Sequence, residues 1–286
     1  MLSTTSALLA IALIWPPPIA SNVSSAPAWE TLPAEQPLSA VAVEGYVDHD
    51  GARIWYGTAG KGEPVVLLHG GMESSLSWGN QVPALIKTHH RVILIDSRGH
   101  GRSTLGPYPL SYEKMQSDVV AVMDTLHLKK VSFVGWSDGA IISLIMAMKN
   151  PERVNRVYAF GANMNTDAIV SGAFTSPILS EVGARLAKDY ARISPTPNEF
   201  GTLHLALETM QKKEPNYTTM ELAAIKVSKI AIADGDHEEF ITRAHTDYLA
   251  ATIPGAELII LPNVSHFAPW QDSTTLNNSI IRFLDR

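Results

Sequence analysis

The chain has 286 residues, 45% of them hydrophobic and 17% charged, and contains no cysteine. That length and balance suit one large core with an inserted subdomain, and the missing thiols exclude disulfides, a cysteine nucleophile and thiolate metal sites. A net charge of −6 gives neither a nucleic-acid footprint nor a cationic patch for a membrane surface.

The first segment reads as separate from the rest. Ser6 to Trp15 is an apolar run too short to cross a bilayer, and Pro16, Pro17 and Pro18 break it. A small-residue stretch rich in Pro and Ser follows to about Pro37. The pattern is that of a signal peptide and linker over residues 1–37, which implies a secreted or periplasmic protein with no stable membrane insertion after leader removal. No Lys or Arg precedes the run, so a disordered cytoplasmic leader is the alternative. On either reading these residues stay outside the fold.

Strand and helix patterns then alternate. Val41–Val47 and Ala52–Tyr56 flank Asp48-His49-Asp50-Gly51, whose closing Asp-Gly pair signals a hairpin. Pro64–Leu68, Arg91–Ile95, Val131–Val134, Val154–Phe160, Lys229–Ala233 and Glu257–Leu261 are short apolar runs of the buried-strand type. Behind Ser111, the residues Tyr112, Met115, Val119, Met123 and Leu126 recur every three or four positions and make one helix face. Ala140–Met148 is apolar on nearly every side, as for a helix packed on a sheet, and Asn150-Pro151 ends it. A last helix is expected over Thr274–Leu284.

This alternation predicts an α/β domain over residues 38–286, a mostly parallel sheet covered by helices on both faces. From about residue 163 to 219 no strand pattern occurs, and helix-like pieces are separated by Ser, Pro and Gly turns. That segment reads as a small helical cap. Met164, Phe174, Leu179, Leu186, Phe200 and Leu205 are candidates for its pocket-facing side, and core packing within the cap explains the same residues equally well.

Gly135-Trp136-Ser137-Asp138-Gly139 stands between a strand and a helix. A sharp strand-to-helix bend strains the serine backbone, and glycines two residues to either side relieve the crowding. Ser137 is the candidate nucleophile at this elbow, with the helix N-terminus favouring negative charge beside it. A hydroxyl needs a base. His266 lies in the loop after the last strand, at the sheet edge where the elbow emerges. The base in turn needs a carboxylate. Glu238, three residues past Gly235, is one candidate and Asp236 the alternative, with Asp167 a weaker third. A metal site on Asp236, His237 and Glu238 is a poor reading, because adjacent loop residues do not converge on one ion. The turn after Leu68 supplies Gly71, whose N–H, with that of Asp138, would form an oxyanion hole. In Asp96–Ser103 the glycines permit a tight loop, with Arg98 and Asp96 as a pair; His100 there lacks an acid partner.

The motifs LLHGG at 67–71, DSRGHGRS at 96–103, GWSDG at 135–139, DGDHEE at 234–239 and VSHF at 264–267 together resemble the α/β-hydrolase superfamily. GWSDG and the apolar helix behind it are similar to valacyclovir hydrolase and the biphenyl-hydrolase-like serine hydrolases. The resemblance implies an eight-stranded sheet of that type and esterase chemistry without a cofactor or metal. It also implies a small-molecule ester substrate, cleaved through an acyl-enzyme. Most relatives carry aspartate where this chain has Glu238. The same triad serves C–C bond, lactone or amide hydrolysis, and a non-catalytic small-molecule receptor is the reading from another class. If the Asp138 carboxylate faces the pocket, a substrate bearing an amine is favoured.

Overall fold

The computed structural model describes residues 26–38, 41–175, 177–227 and 229–286, so the apolar run Ser6–Trp15 lies outside the described residues. Eight strands form one sheet: β1 (Val43–His49), β2 (Ala52–Gly60), β3 (Glu63–Leu68), β4 (His90–Ile95), β5 (Val131–Trp136), β6 (Val154–Phe160), β7 (Ile230–Gly235) and β8 (Glu257–Leu261). Their spatial order is β1-β2-β4-β3-β5-β6-β7-β8. β1 and β2 pair antiparallel, β2 runs antiparallel to β4, and every pair from β4 to β8 is parallel. His49 pairs with Ala52, leaving Asp50 and Gly51 as the two-residue turn. Both have positive φ, 45° and 73°, as a type I′ hairpin requires.

Parallel strands buried on both faces read as unbroken apolar runs, and the pleat sends alternate residues to opposite sides. In β3, Val66 and Leu68 join one core layer while Val65 and Leu67 join the other; Ile93 and Ile95 divide from Val92 and Leu94 in the same way. Helices cover the two faces. The first layer is closed by α2 (Tyr112–Thr125) and α3 (Asp138–Lys149), the second by α1 (Gln81–Lys87) and α9 (Ser273–Leu284). Ser111 caps α2 by accepting the Lys114 N–H at 3.1 Å. α3 is buried from Asp138 to Ala147 because it lies between the sheet and α2, which explains its lack of a polar face.

Between β6 and β7 the chain forms α4 (Pro177–Ile193), α5 (Phe200–Gln211) and α6 (Thr219–Ala223). Two isolated bridges, Asn165 with Asn216 and Ile169 with Ile241, tie this region to its base. After β7 come α7 (Arg243–Thr252) and, beyond β8, the short α8 (Ala268–Gln271). Among the described residues no helix is long and apolar enough to cross a membrane.

Three expectations need correction. The stretch Pro27–Pro37, read from sequence as linker outside the fold, forms with Leu38 a strap docked on the domain. Its Trp29 ring stacks on His237 with centroids 3.6 Å apart. Gln271 Nε2 donates to the carbonyls of Trp29 and Thr31, Arg185 donates to that of Pro33 at 2.7 Å, and Leu32 and Leu38 pack on the second core layer. Backbone carbonyls do this work, so no apolar period announced it. Among the cap candidates, Leu205 points outward at 63% exposure, and Met164 is fully buried in the first core layer. The Phe174 side chain lies outside the described residues. Leu186 alone of the set lines a small cavity with Met72, Glu73 and Tyr190, while Leu179 and Phe200 are half-buried against the second layer. Finally, Arg98 does not pair with Asp96. It forks onto Asp118 of α2 at 2.5 and 2.7 Å, while Asp96 takes Arg102 and the Ser75 N–H.

Candidate active site

Parallel strands deliver their C-terminal ends to one rim. Register fixes which ends are neighbours: Leu68 sits beside Gly135, Trp136 beside Phe160, Phe160 beside Ala233, and Gly235 beside Leu261. The loops leaving those ends carry the turn at Gly70-Gly71, Ser137, Gly161, Glu238 and His266. Five sequence-distant segments thus share one edge.

Ser137 has φ 54° and ψ −119°, a backbone conformation that an L residue holds only under strain. Two features hold it there. Its N–H donates to the Phe160 carbonyl at 2.8 Å, and its own carbonyl accepts from Ala140 and Ile141 as α3 begins. A side chain at Gly135 would collide with the Gly139 carbonyl, and one at Gly139 with the Leu68 carbonyl. The flanking residues are buried while Ser137 itself is half-buried. The bend therefore presents the hydroxyl and hides its neighbours.

His266 is buried between Trp136, Phe240 and Phe267, its ring centroid 4.7 Å from that of Phe240. Its Nδ1 lies 2.8 and 2.9 Å from the two oxygens of Glu238, and its backbone N–H donates to Glu239 Oε2 at 2.9 Å. The aromatic surround desolvates the imidazole and lowers its pKa, with Glu239, Asp234 and Asp138 opposing. Glu238 Oε1 also accepts the N–H groups of Phe240 and Ile241 at 2.8 and 3.2 Å. Burial nonetheless pushes Glu238 up to about 7, against lowering contributions from Asp234 and those two amides.

The other acid candidates point elsewhere. Asp236 accepts the Val264 N–H at 3.3 Å, and Asp167 is exposed on a short 3₁₀ turn. With His237 against Trp29 and Glu238 turned inward, these three neighbours diverge. His100 is buried, with Nδ1 on the Arg98 carbonyl, and its ring lies 5.1 Å from that of His69. His69 in turn accepts the Ser97 N–H, so this histidine pair fixes loops.

Among the described residues no hydrogen bond joins Ser137 Oγ to His266. Proximity comes from Gly161, the residue after the Phe160 carbonyl that holds Ser137. A Cβ there would lie 2.6 Å from His266 Cε1, and its φ of 66° is one glycine tolerates. Such open contacts tighten when a substrate is bound.

At the facing turn, Gly70 lies over the serine: a Cβ there would be 3.1 Å from Ser137 Cβ. Gly71 follows, and Asp138 occupies the first position of α3, where no carbonyl four residues back receives its N–H. The Asp138 side chain is buried and already engaged. Tyr112 donates to Oδ1 at 2.7 Å, and Gln211 Nε2 from the cap donates to both oxygens at 3.1 Å. Burial raises the Asp138 pKa, with those two bonds opposing it. Beneath the turn, Glu73 accepts the Gly70 N–H at 3.1 Å, and burial lifts it well above the carboxylate range.

A family model for the alpha/beta hydrolase fold matches residues 63–202. Serine hydrolase BPHL of Mus musculus is 26% identical over 252 residues, covering 82% of this chain and 84% of that protein. The 2-hydroxy-6-oxononadienedioate/2-hydroxy-6-oxononatrienedioate hydrolase of Escherichia coli K12 is 26% identical over 265 residues, covering 82% and 91%. In three dimensions the enol-lactonase of Burkholderia xenovorans LB400 superposes with a TM-score of 0.67 at 24% identity, over 85% of this chain and all of that one. The chain has the alpha/beta hydrolase fold.

Within this fold, sequence reasoning missed Gly161, Tyr112, Gln211 and Glu73 as site neighbours. Gly161 carried a signal: a glycine ending the strand next to the elbow strand. The other three reach the site through α2, the cap and a turn, and nothing local to them indicated it.

Proposed function

We propose that the protein is a serine hydrolase that cleaves a small or medium, uncharged carboxylic ester through an acyl-enzyme. The observation that carries this is the strained Ser137 at the rim where the buried His266–Glu238 pair is also placed. His266 takes the Ser137 proton as the hydroxyl attacks the ester carbonyl, and Glu238 holds the imidazole tautomer and balances the imidazolium. The N–H groups of Gly71 and Asp138 receive the oxyanion. The alcohol leaves with the proton from His266; water, activated by the same base, then frees the acid.

The surroundings favour an uncharged substrate. Burial pushes the Glu73 and Asp138 carboxyls at the turn toward their neutral forms, and Arg98 and Arg102 are committed to Asp118 and Asp96. Relatives whose names denote hydrolysis of dicarboxylates support a second reading, cleavage of a carbon–carbon bond beside a ketone. The lack of an uncommitted cation beside the turn, among the described residues, weighs against a doubly charged substrate of that kind. The apolar run Ser6–Trp15 and the prolines behind it support export of the protein.

A fluorophosphonate should label Ser137, and Ser137→Ala should abolish both labelling and ester turnover, a loss of about 10⁴-fold or more. Turnover surviving in Ser137→Ala would refute the nucleophile, and binding without turnover in the unaltered protein would favour a receptor.

A further inference from the structure

Two carboxyl groups stand behind the imidazole. Asp234 is the penultimate residue of β7, and Glu238 follows four positions on; both side chains are buried. Their carboxyl groups are neighbours, each in reach of a hydrogen bond to the other once one of them is protonated. Two touching carboxylates in a water-poor site cannot both be ionised, so one keeps a proton and donates it to the other.

The surrounding donors decide which. Glu238 faces the N–H groups of Phe240, Ile241 and the His266 ring, three donors that favour its charged form. Asp234 receives only the Thr246 hydroxyl at 2.7 Å and its neighbour Gly235 N–H at 3.1 Å. Glu239, held on the His266 N–H, adds a further negative charge nearby. Among the described residues neither Asp234 nor Glu238 has a Lys or Arg partner. Burial, then the Glu238 charge, raises the Asp234 pKa well above the ordinary value.

We propose that Asp234 is a positioning residue which, as a neutral carboxylic acid anchored by Thr246 of α7, donates a hydrogen bond to Glu238 and holds it ionised against His266. The proposal rests on the Ser137–His266–Glu238 reading and deepens it. Asp234 keeps its proton throughout the cycle; His266 alone gains and loses one. The arrangement also accounts for a glutamate at 238. The longer side chain reaches the imidazole while its carboxylate stays against Asp234.

The test uses the full chain, a chromogenic ester and pH profiles of kcat/KM from 5 to 9 on four variants. Glu238→Gln tests the triad reading by itself and should lose about 10³-fold or more. Asp234→Ala should lower kcat about 10- to 100-fold with little change in KM, and move the acid limb to higher pH, because Glu238 loses a donor. Asp234→Asn, which supplies an N–H donor in the same shape, should recover to within about fivefold of the unaltered rate. Thr246→Val should fall between. If Asp234→Ala fails to fold, Asp234→Asn decides: a folded protein as impaired as Glu238→Gln would mean that Asp234 acts as a charge, and overturn the proposal. So would Asp234→Ala with an unchanged rate and pH profile. Loss of function in Glu238→Gln together with either result leaves the triad standing and removes only the relay.

Discussion

In the proposed mechanism Gly161 sets the distance between base and nucleophile. Its φ is in the left-handed region, and its missing Cβ is what lets His266 approach the Phe160–Gly161 peptide that holds Ser137. Alanine there brings backbone strain together with a contact far inside van der Waals range, and the ring has to yield. A displacement near 1 Å costs about 10²-fold in rate. Gly161→Ala is therefore expected to keep its fold by circular dichroism, lose about two orders of magnitude in kcat, and bind a competitive ester analogue nearly as well. Unchanged kcat would show that the ring has room to spare. Ser137, His266 and Glu238 were legible as candidates from their residue types and their places after strands. Arg98, Asp118, Tyr112 and Gln211 find partners only through tertiary packing, which is why the Asp96 pairing was misassigned.

Among the elements, strands were the most readable and the strap the least. Short runs such as Val154–Phe160 and Glu257–Leu261 match their strands end to end, because their β-branched, aromatic and aliphatic side chains favour extended backbone on a packed sheet. Helices α1 and α7 went unseen: the first is only 7 residues long, and the second starts with charged and small residues that blur its face. The strap offers carbonyls and one aromatic ring rather than a pattern. It also carries a titratable latch. Glu35 lies beside Asp189 of α4, and burial, with that neighbour, raises it to about 7, opposed by Arg185 and Arg192. A carboxyl with a docked pKa above its free value favours docking at low pH, and that contribution is lost as pH rises through about 7. Limited proteolysis within residues 26–38 should accordingly run faster at pH 8.5 than at pH 6, and Glu35→Gln should flatten the difference. Equal cleavage at both pH values in the unaltered protein would dismiss the latch.

For the whole molecule, the buried titratable groups predict where stability peaks. Glu35 and Glu238 have folded pKa values raised to about 7, so their stabilising contribution declines as pH climbs from near 4.5 through 7. His69, His100, His245 and His266 are shifted the other way by burial, His245 to about 4 and His100 to about 3. Their unfolded forms bind protons first, so the native state loses ground as pH falls below about 6.5. Between pH 6.5 and 8 the histidines are mostly neutral in both states, and the carboxyls govern the slope. The melting temperature should peak near pH 6 to 6.5 and decline toward pH 8; a steady rise across that interval would contradict the assigned shifts.

The strap has one more implication, for the order in which the molecule assembles. Its anchors, Arg185 and Gln271, lie 152 to 242 residues downstream. The earliest-made part of the described body therefore has no seat until translation is almost finished. Closing so long a loop is entropically slow, and the segment settles last. A nascent chain would keep this stretch pliable while the rest is made, and lock it only once its seat exists.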